Sequence, residues 1–276
     1  MAVMGGFYFS AENGTVTSST ALQNPYHERV VIDSSHFIGN EYLEQVITDT
    51  HYDDPDRRGR HATFLARIYT DYGIAAKGIA CDEYTAVCIA PNGLARIYGE
   101  YPTRDDNAYF LQTNCELPDI SPENCTADSP LVWNREQKAL KVYKVKGVHD
   151  GSNVFDLTDW KSGHGGSWEN WWIENGNLHT GTGEQINCNL SATANKKINI
   201  SVTLSPNPCL NTLRIETFNS KITGLLIFDL DGKLTFSRKE INKMTDTIDV
   251  RNLKTGYYTV QIWTEEGLAF RKLIKK

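Results

Sequence analysis

The sequence lacks the features that mark several common functional classes. It has no apolar run near the ~20 residues that a membrane-spanning helix needs, and no stripe of lysine and arginine. With a formal net charge of −6, it has no electrostatic footprint for nucleic acid. The N-terminus begins Met1-Ala2-Val3-Met4-Gly5-Gly6 and shows no basic segment, apolar segment or cleavage site of a signal peptide. We therefore predict no transmembrane segment and no nucleic-acid partner.

The six cysteines include no CxxC pair, which argues against a zinc site built on thiolates. Cys115 and Cys125 flank a short polar stretch with two prolines, and a disulfide between them would close a small loop in an oxidising compartment. Two unpaired thiols are the alternative. Cys81 and Cys88 flank a predicted strand and are expected to be small core residues. The histidines lack metal-binding spacing, so no metal or cofactor is predicted.

Periodicity predicts a mixture of helix and strand in the first part of the chain. Residues Arg57 to Tyr72 repeat apolar side chains at helical spacing, with Gly73 as the expected stop. Residues 78 to 90 are strand-like, and Pro91-Asn92-Gly93 predicts a hairpin turn into a second strand. A further strand is expected from Ala139 to Val145 because apolar and polar residues alternate there.

Residues 150 to 190 are rich in glycine, asparagine and tryptophan. A tryptophan cluster of this kind more often closes a small core, because each ring buries a large area. The alternative is stacking against the sugar rings of a carbohydrate. The four side chains are Trp160, Trp168, Trp171 and Trp172.

From residue 204 the pattern changes to short strands separated by regular turn signals. Asp231-Gly232 and Thr255-Gly256 are two of these turns. Such spacing is typical of a small all-β sandwich.

This tail resembles the C-terminal sorting domain of type IX secretion cargo. The resemblance rests on Leu204-Ser205-Pro206-Asn207-Pro208, on the segment Phe228 to Lys233, on the segment Ile248 to Val260, and on the terminal Phe270 to Lys276. It implies a secreted or cell-surface protein whose partner is the type IX secretion machinery. An ordinary Ig-like binding module is the alternative, because a sandwich is a common scaffold.

A second set of motifs contains the parts of a base–orienter pair. His51 follows a predicted strand, an arginine-rich helix comes next, and Glu83 follows a later strand. In such a pair the histidine takes a proton from a nucleophile, and the carboxylate fixes its tautomer.

These motifs resemble those of the cyanophycinase and dipeptidase E family of serine peptidases. Asp49-Thr50-His51-Tyr52 is similar to the family's D-Q-H-F, Gly59-Arg60 to its G-R-L, and Ile79 to Ala86 to its G-I-D-E-x-T-A. The resemblance covers residues 1–147. It implies an α/β fold of the class I glutamine-amidotransferase type with a mostly parallel sheet.

By the same resemblance, His51 is the general base and Glu83 is the acidic partner or a contact for a substrate amine. The substrate is a peptide or an amino-acid derivative. The residues expected to bind it are Asp49, Thr50, Arg57, Arg60 and Thr85.

Three departures qualify the resemblance. Thr50 replaces the family glutamine, and Pro55 replaces the first family arginine, so the family's β-aspartyl-arginine substrate does not carry over. The sequence also lacks the G-x-S-x-G nucleophile elbow. In the family a segment similar to Met1–Gly6 directly follows that elbow. We therefore expect that this chain is the C-terminal half of such a peptidase, with nucleophile and signal peptide upstream of Met1, and that it is inactive by itself.

Taken together, the sequence predicts four segments. These are 1–147, the C-terminal half of a cyanophycinase-like peptidase; 148–190, a Gly/Trp-rich extension; 191–203, a linker; and 204–276, the sorting domain. The predicted function is an exported serine-type hydrolase. The alternative is a non-catalytic secreted protein that binds carbohydrate through the Trp-rich segment.

Overall fold

The computed structural model describes residues 4–34, 40–188, 201–218, 220–229, 234–265 and 267–276. The chain divides into two compact units, Met1–Asn189 and Leu190–Lys276. Most of the predicted linker 191–203 and the predicted turn at Asp231-Gly232 lie outside the described residues. Among the residues that are described, no helix is both long and apolar enough to cross a membrane.

The first unit is built mainly of strands, with two helices among its described residues. In chain order its elements are β1 (Phe7–Ser10), α1 (Ser18–Gln23), β2 (Val31–Ser34), β3 (Val46–Thr50), α2 (Arg58–Tyr72), β4 (Lys77–Cys81), β5 (Thr85–Ile89), β6 (Leu94–Gly99), β7 (Asn107–Thr113), β8 (Leu140–Lys146), β9 (Val154–Asp156), β10 (Gly163–His164), β11 (Gly166–Glu174) and β12 (Asn177–Thr182).

These strands form two sheets. The larger has the order β12-β11-β8-β7-β4-β3-β1-β2, and the smaller has the order β10-β9-β6-β5. Within the larger sheet β3 pairs in parallel with β1 and with β4. The pairs β4–β7, β7–β8, β8–β11 and β11–β12 are all antiparallel.

The predicted mostly parallel α/β fold is therefore wrong. The chain is 46% strand and 9% helix, and several sheets replace the single parallel one. The physical reason lies in the connections. Helix α2 provides the crossover that parallel neighbours require, between β3 and β4. After β4 the strands are joined by hairpins and irregular loops, so each returns antiparallel to its neighbour.

The helix predicted from Arg57 to Tyr72 is confirmed as α2, and Gly73 ends it in the left-handed conformation at φ 68°. Its burial differs from a single apolar stripe, because Arg60, His61 and Thr63 are buried as well. Helix α2 packs closely on α1: a Cβ added at Gly59 would lie 2.5 Å from the Leu22 side chain. Because α2 has neighbours on more than one side, its polar residues are enclosed too.

The predicted hairpin at Pro91-Asn92-Gly93 is confirmed by the antiparallel pairing of β5 with β6. The long strand predicted over residues 78 to 90 instead divides into β4 and β5, which belong to different sheets. Cys81 is accordingly buried, whereas Cys88 is exposed. The chain turns from one sheet to the other at residues 82–84, which places Asp82 and Glu83 at a corner.

The structure contains one disulfide among its described residues, between Cys115 and Cys188, with Cα atoms 5.8 Å apart. The predicted Cys115–Cys125 pairing is wrong, since Cys125 is a buried free thiol. Cys125 belongs to the core that includes Leu131 and Trp133. The short polar loop is therefore fixed by packing, and the covalent link joins Cys115 to a residue that lies far along the chain.

The second unit consists of two antiparallel sheets. Its strands are β13 (Val202–Ser205), β14 (Thr212–Thr217), β15 (Ile222–Phe228), β16 (Leu234–Lys243), β17 (Thr245–Asp249), β18 (Gly256–Thr264) and β19 (Gly267–Lys275). The sheet orders are β13-β14-β17 and β16-β15-β18-β19. Apolar side chains of both sheets, such as Leu213 and Ile262, share one core, which is the arrangement of a β-sandwich.

Candidate functional site

The candidate site lies where the parallel strands β3 and β4 end. His51 directly follows β3, and Glu83 comes two residues after β4. Carboxyl ends of adjacent parallel strands meet at one edge of a sheet, which is where open α/β sheets bind ligands. The His51 Nδ1 atom lies 2.8 Å from Glu83 Oε1, and 60% of the His51 side chain is exposed. The two residues predicted to be catalytic are thus in direct contact.

The backbone holds His51 in an unusual conformation, with φ at +52°. A left-handed residue other than glycine is uncommon and is maintained by its surroundings. Here the next residue, Tyr52, is fully buried, and its hydroxyl lies 3.0 Å from the His61 Nδ1 atom on α2. Burial lowers the pKa of His61, so the neutral ring is favoured in this contact. Tyr52 is thus held in the core, and the ring of the neighbouring His51 faces solvent.

Arg60 and Asp49 form a buried ion pair below this edge. The guanidinium Nε donates to Asp49 Oδ2 at 2.8 Å and Nη2 donates to Asp49 Oδ1, while Nη1 donates to the Val16 carbonyl at 3.2 Å. The exposed fraction of each side chain is about one-twentieth. The polar atoms of Arg60 and Asp49 thus form hydrogen bonds within the protein. The assignment of these two residues to substrate binding stays a prediction.

Arg57 and Thr50 lie closer to His51. Arg57 Nη1 donates to the Thr50 carbonyl at 2.9 Å, which links the start of α2 to the end of β3. Partial burial, together with the positive charge of Arg60, lowers the pKa of Arg57, and the nearby carboxylates of Asp49 and Glu83 oppose that shift. Of the two arginines predicted to bind substrate, Arg57 is half-buried, whereas Arg60 is buried.

Thr85 opens β5 and lies beside a cavity of about 370 Å³. Glu83, Tyr98, Glu100 and His149 also line this cavity. The Thr85 Oγ1 atom is buried and has no hydrogen-bond partner among the described residues. A buried hydroxyl without a partner is energetically unfavourable, so a ligand or water that reached Thr85 would satisfy it.

Three carboxylates that sequence analysis did not select lie at the same edge. Asp53 follows His51 by two residues, Asp82 precedes Glu83, and Asp106 precedes β7; one carboxylate oxygen of each lies within 4.8 Å of the others. Burial, with the negative charges of Asp53 and Asp106, raises the pKa of Asp82 to about 6, against hydrogen bonds from Asn107. Spacings of 29 and 24 residues match no known ligand motif, so only the fold brings them together.

The tryptophans of residues 150–190 do not share one exposed face. Trp160 and Trp171 are buried, with exposed fractions of 4% and 0%. Trp168 is partly buried and packs on Tyr143, and Trp172 stacks on His179 with ring centroids 5.5 Å apart. Two of the four rings are therefore buried in the core, and the other two are partly buried against it. Carbohydrate binding by this segment stays a prediction.

In the second unit, the opening motif is attached to the last strand. Asn207 Nδ2 donates to the Lys272 carbonyl at 2.7 Å, and the Ile274 N–H donates to Asn207 Oδ1 at 2.9 Å. The Cys209 N–H donates to the Ile274 carbonyl at 2.8 Å. The first and the last of the four segments that carry the resemblance of the tail are thus neighbours in space.

Residues 203–276 match the family model of the secretion system C-terminal sorting domain. The sorting domain indicates secretion and attachment at the cell surface. It also implies an interaction of this protein with the secretion machinery. The predicted localisation is therefore confirmed.

The match to the sorting domain does not extend to the first unit. No curated protein matches the chain significantly.

Proposed function

We propose that the exported protein is a hydrolase of the serine-peptidase type, in which His51 is the general base and Glu83 orients it. The observation that supports this most directly is the 2.8 Å contact between His51 Nδ1 and Glu83 Oε1. A carboxylate at Nδ1 favours the tautomer whose Nε2 atom can accept a proton from a nucleophile. The proposal concerns the reaction class and does not take over the fold of any peptidase family.

The setting of the pair supports the same assignment. His51 keeps a strained backbone conformation between neighbours that are tied to the core, and strain of this kind concentrates at functional sites. Its imidazole is 60% exposed and Glu83 is 27% exposed. A general base has to reach a bound substrate, whereas the carboxylate that orients it has to stay in place. The higher exposure of His51 and the lower exposure of Glu83 suit these two roles.

The cavity beside Glu83 suits a substrate with a positively charged amine. Glu83, Tyr84, Tyr98 and Glu100 line it. Arg104 already pairs with Glu100 at 3.8 Å and lies over the Tyr84 ring at 4.1 Å, so Glu83 and Tyr98 are the groups that would meet the amine. Carboxylates attract an ammonium group, and aromatic faces bind cations at short range. A peptide or amino-acid-derived substrate with a free amine would fit this chemistry.

The proposed reaction also needs a nucleophile. Among the described residues, the hydrogen-bonding partner of His51 is Glu83, and no serine, threonine or cysteine side chain shares such a bond with it. The proposed reaction class requires a serine hydroxyl within hydrogen-bonding distance of His51 Nε2.

The test uses the protein as its native cells release it. It would be assayed with a panel of dipeptides and amino-acid amides and labelled with a fluorophosphonate, which marks activated serines. We expect His51→Ala to lower kcat by roughly 10²- to 10⁴-fold with little change in KM. Glu83→Gln should lower kcat in the same direction, because the orienting charge is lost.

The matched control is His179→Ala, which removes an exposed histidine from β12. It should keep both the labelling and kcat. Hydrolysis that survives His51→Ala unchanged contradicts the proposal. A released protein that cleaves nothing in the panel and takes up no label contradicts it as well.

A further inference from the structure

We infer that Asp53, Asp82 and Asp106 bind a divalent cation of the calcium type beside the His51–Glu83 pair. The three residues come from three different loops, and one carboxylate oxygen of each lies within 4.8 Å of the other two. Calcium binds oxygen ligands at about 2.3–2.6 Å. Two oxygens on opposite sides of such an ion lie roughly 4.6–5.2 Å apart by the same figures, so an upper limit of 4.8 Å on the separations is compatible with ligation of one ion by all three carboxylates.

A second observation concerns Asp82, whose exposed fraction is 3%. Its Oδ2 atom accepts hydrogen bonds from the Asn107 backbone N–H at 2.8 Å and from Asn107 Nδ2 at 3.3 Å. Its Oδ1 atom is buried and has no hydrogen-bond partner in the described structure. A buried carboxylate oxygen without a partner is costly. Asp82 thus has one buried oxygen that a bound cation would satisfy.

The basic side chains that the structure describes do not pair with this cluster. Within the described ranges, no lysine, arginine or histidine forms an ion pair with the three carboxylates. The nearby cations are engaged elsewhere: Arg58 pairs with Asp56 at 2.9 Å, and Lys146 with Asp105 at 2.6 Å. Three carboxylates that share one site repel each other, so the neutralising charge has to come from solution.

The chemistry of the ligands selects the type of cation. All three are carboxylates, and the set contains no thiolate or imidazole, which favours a hard cation such as calcium over zinc or copper. The remaining coordination positions would be filled by water or backbone oxygens. Sites of this kind in extracellular modules bind calcium with dissociation constants of about 10⁻⁴–10⁻³ M, which suits an exported protein.

An ion bound at the proposed site would have a structural role because of where the three carboxylates lie. Asp53 is in the loop that carries His51, and Asp82 is in the corner that carries Glu83. A cation bound to both would fasten these two segments to each other and to the loop before β7. The inference does not depend on the proposed hydrolase, because binding of calcium can be measured without any substrate.

The experiment is a calorimetric titration of the calcium-stripped full chain with CaCl₂ alone, up to about 10 mM, which exceeds the expected dissociation constant. We expect one saturable site. Asp82→Asn and Asp106→Asn should each weaken it at least about tenfold, since each removes a charged ligand. Thermal unfolding should show stabilisation by calcium in the wild type and little in the variants.

Two further variants separate ligation from folding. Asp53→Asn alters an exposed side chain with no hydrogen bond in the described structure, so it should fold normally and still weaken binding. Asp105→Asn, next to Asp106 and paired with Lys146, should leave binding unchanged. Absence of saturable binding overturns the inference. So does binding that Asp53→Asn and Asp106→Asn leave unaltered, or binding of Mg²⁺ that is as tight as that of Ca²⁺.

Discussion

His51 Nδ1 lies 2.8 Å from Glu83 Oε1, although 32 positions separate the two residues in the chain. The contact exists because β3 and β4 are parallel neighbours, so the residues just after both strands lie at the same edge of the sheet. Sequence motifs indicated that His51 and Glu83 act together. The parallel pairing of β3 with β4 brings the two side chains into contact.

The first prediction concerns the tautomer of His51. With Glu83 accepting at Nδ1, the neutral ring should carry its proton on Nδ1. In Glu83→Ala the ring should shift towards the Nε2-protonated tautomer, which is the usual form of exposed histidine. The ¹⁵N chemical shifts of the His51 ring, measured where the ring is neutral, distinguish the two. Identical shifts in wild type and Glu83→Ala would show that the contact does not persist in solution.

The second prediction concerns the buried Asp49–Arg60 pair. Arg60→Met should lower the free energy of unfolding by about 3–5 kcal/mol, because it leaves the Asp49 carboxylate buried without its counter-charge. Arg58→Met, which breaks the more exposed pair with Asp56, should cost under about 1 kcal/mol. Urea unfolding of the two variants gives the comparison. Equal losses would mean that the Asp49–Arg60 pair is no more important than a surface pair.

The third prediction concerns the disulfide. Non-reducing peptide mapping should recover Cys115 linked to Cys188 and no Cys115–Cys125 peptide. The bond spans 73 positions, so Cys188→Ser should destabilise the first unit by about 2–4 kcal/mol, through the greater freedom of the unfolded chain. Cys88→Ser, at an exposed free thiol, is the control and should be near neutral. Recovery of the Cys115–Cys125 peptide would restore the pairing expected from the sequence.

The fourth prediction concerns pH. Burial lowers the pKa of Lys77 to about 8, and its Nζ atom lies 4.5 Å from the centre of the Trp160 ring. The unfolded chain keeps this proton up to a pH near 10, so between pH 8 and 10 the unfolded state binds more protons. Stability should therefore rise with pH in that window, by up to about 3 kcal/mol.

Lys77→Met removes the group that titrates. The difference in unfolding free energy between wild type and Lys77→Met should consequently change by roughly that amount from pH 7 to pH 10. Other groups titrate in the same window, but they contribute equally to both proteins. A difference that stays constant with pH would mean that Lys77 titrates normally in the folded state.

The fifth prediction concerns the sorting domain. Asn207 bonds to the backbone at both Lys272 and Ile274, so Asn207→Ala should speed amide hydrogen exchange in β19 and lower stability by about 1–3 kcal/mol. Release of the protein from native cells should fall in parallel. Asn211→Ala, at an exposed position outside the motif segments, should change neither. Normal exchange at Ile274 in the Asn207 variant would contradict this account of the motif.

Local signals in the sequence were sufficient for several elements. Helix α2, its stop at Gly73, and the hairpin at Asn92-Gly93 were predicted because helical periodicity and turn chemistry are properties of neighbouring residues. The strands of the sorting domain were predicted for the same reason, and its terminal motifs identified the tail.

Non-local features were not predicted correctly. The order and direction of the strands, the partner of Cys115, and the division of residues 78 to 90 between two sheets depend on which distant segments pack together. The resemblance of a few motifs suggested a parallel sheet, whereas the antiparallel returns after β4 follow from connections that those motifs do not contain.

The sequence by itself determined that this protein is exported, because a sorting motif is read from residue types at the end of the chain. It also indicated His51 and Glu83, since a base and a carboxylate are chemical identities. Only the tertiary structure decided that Asp49 neutralises Arg60 inside the protein, and that Asp53, Asp82 and Asp106 converge. Distances between residues far apart in the chain are set by the pairing of β3, β4 and β7, and that pairing is a property of the whole folded unit.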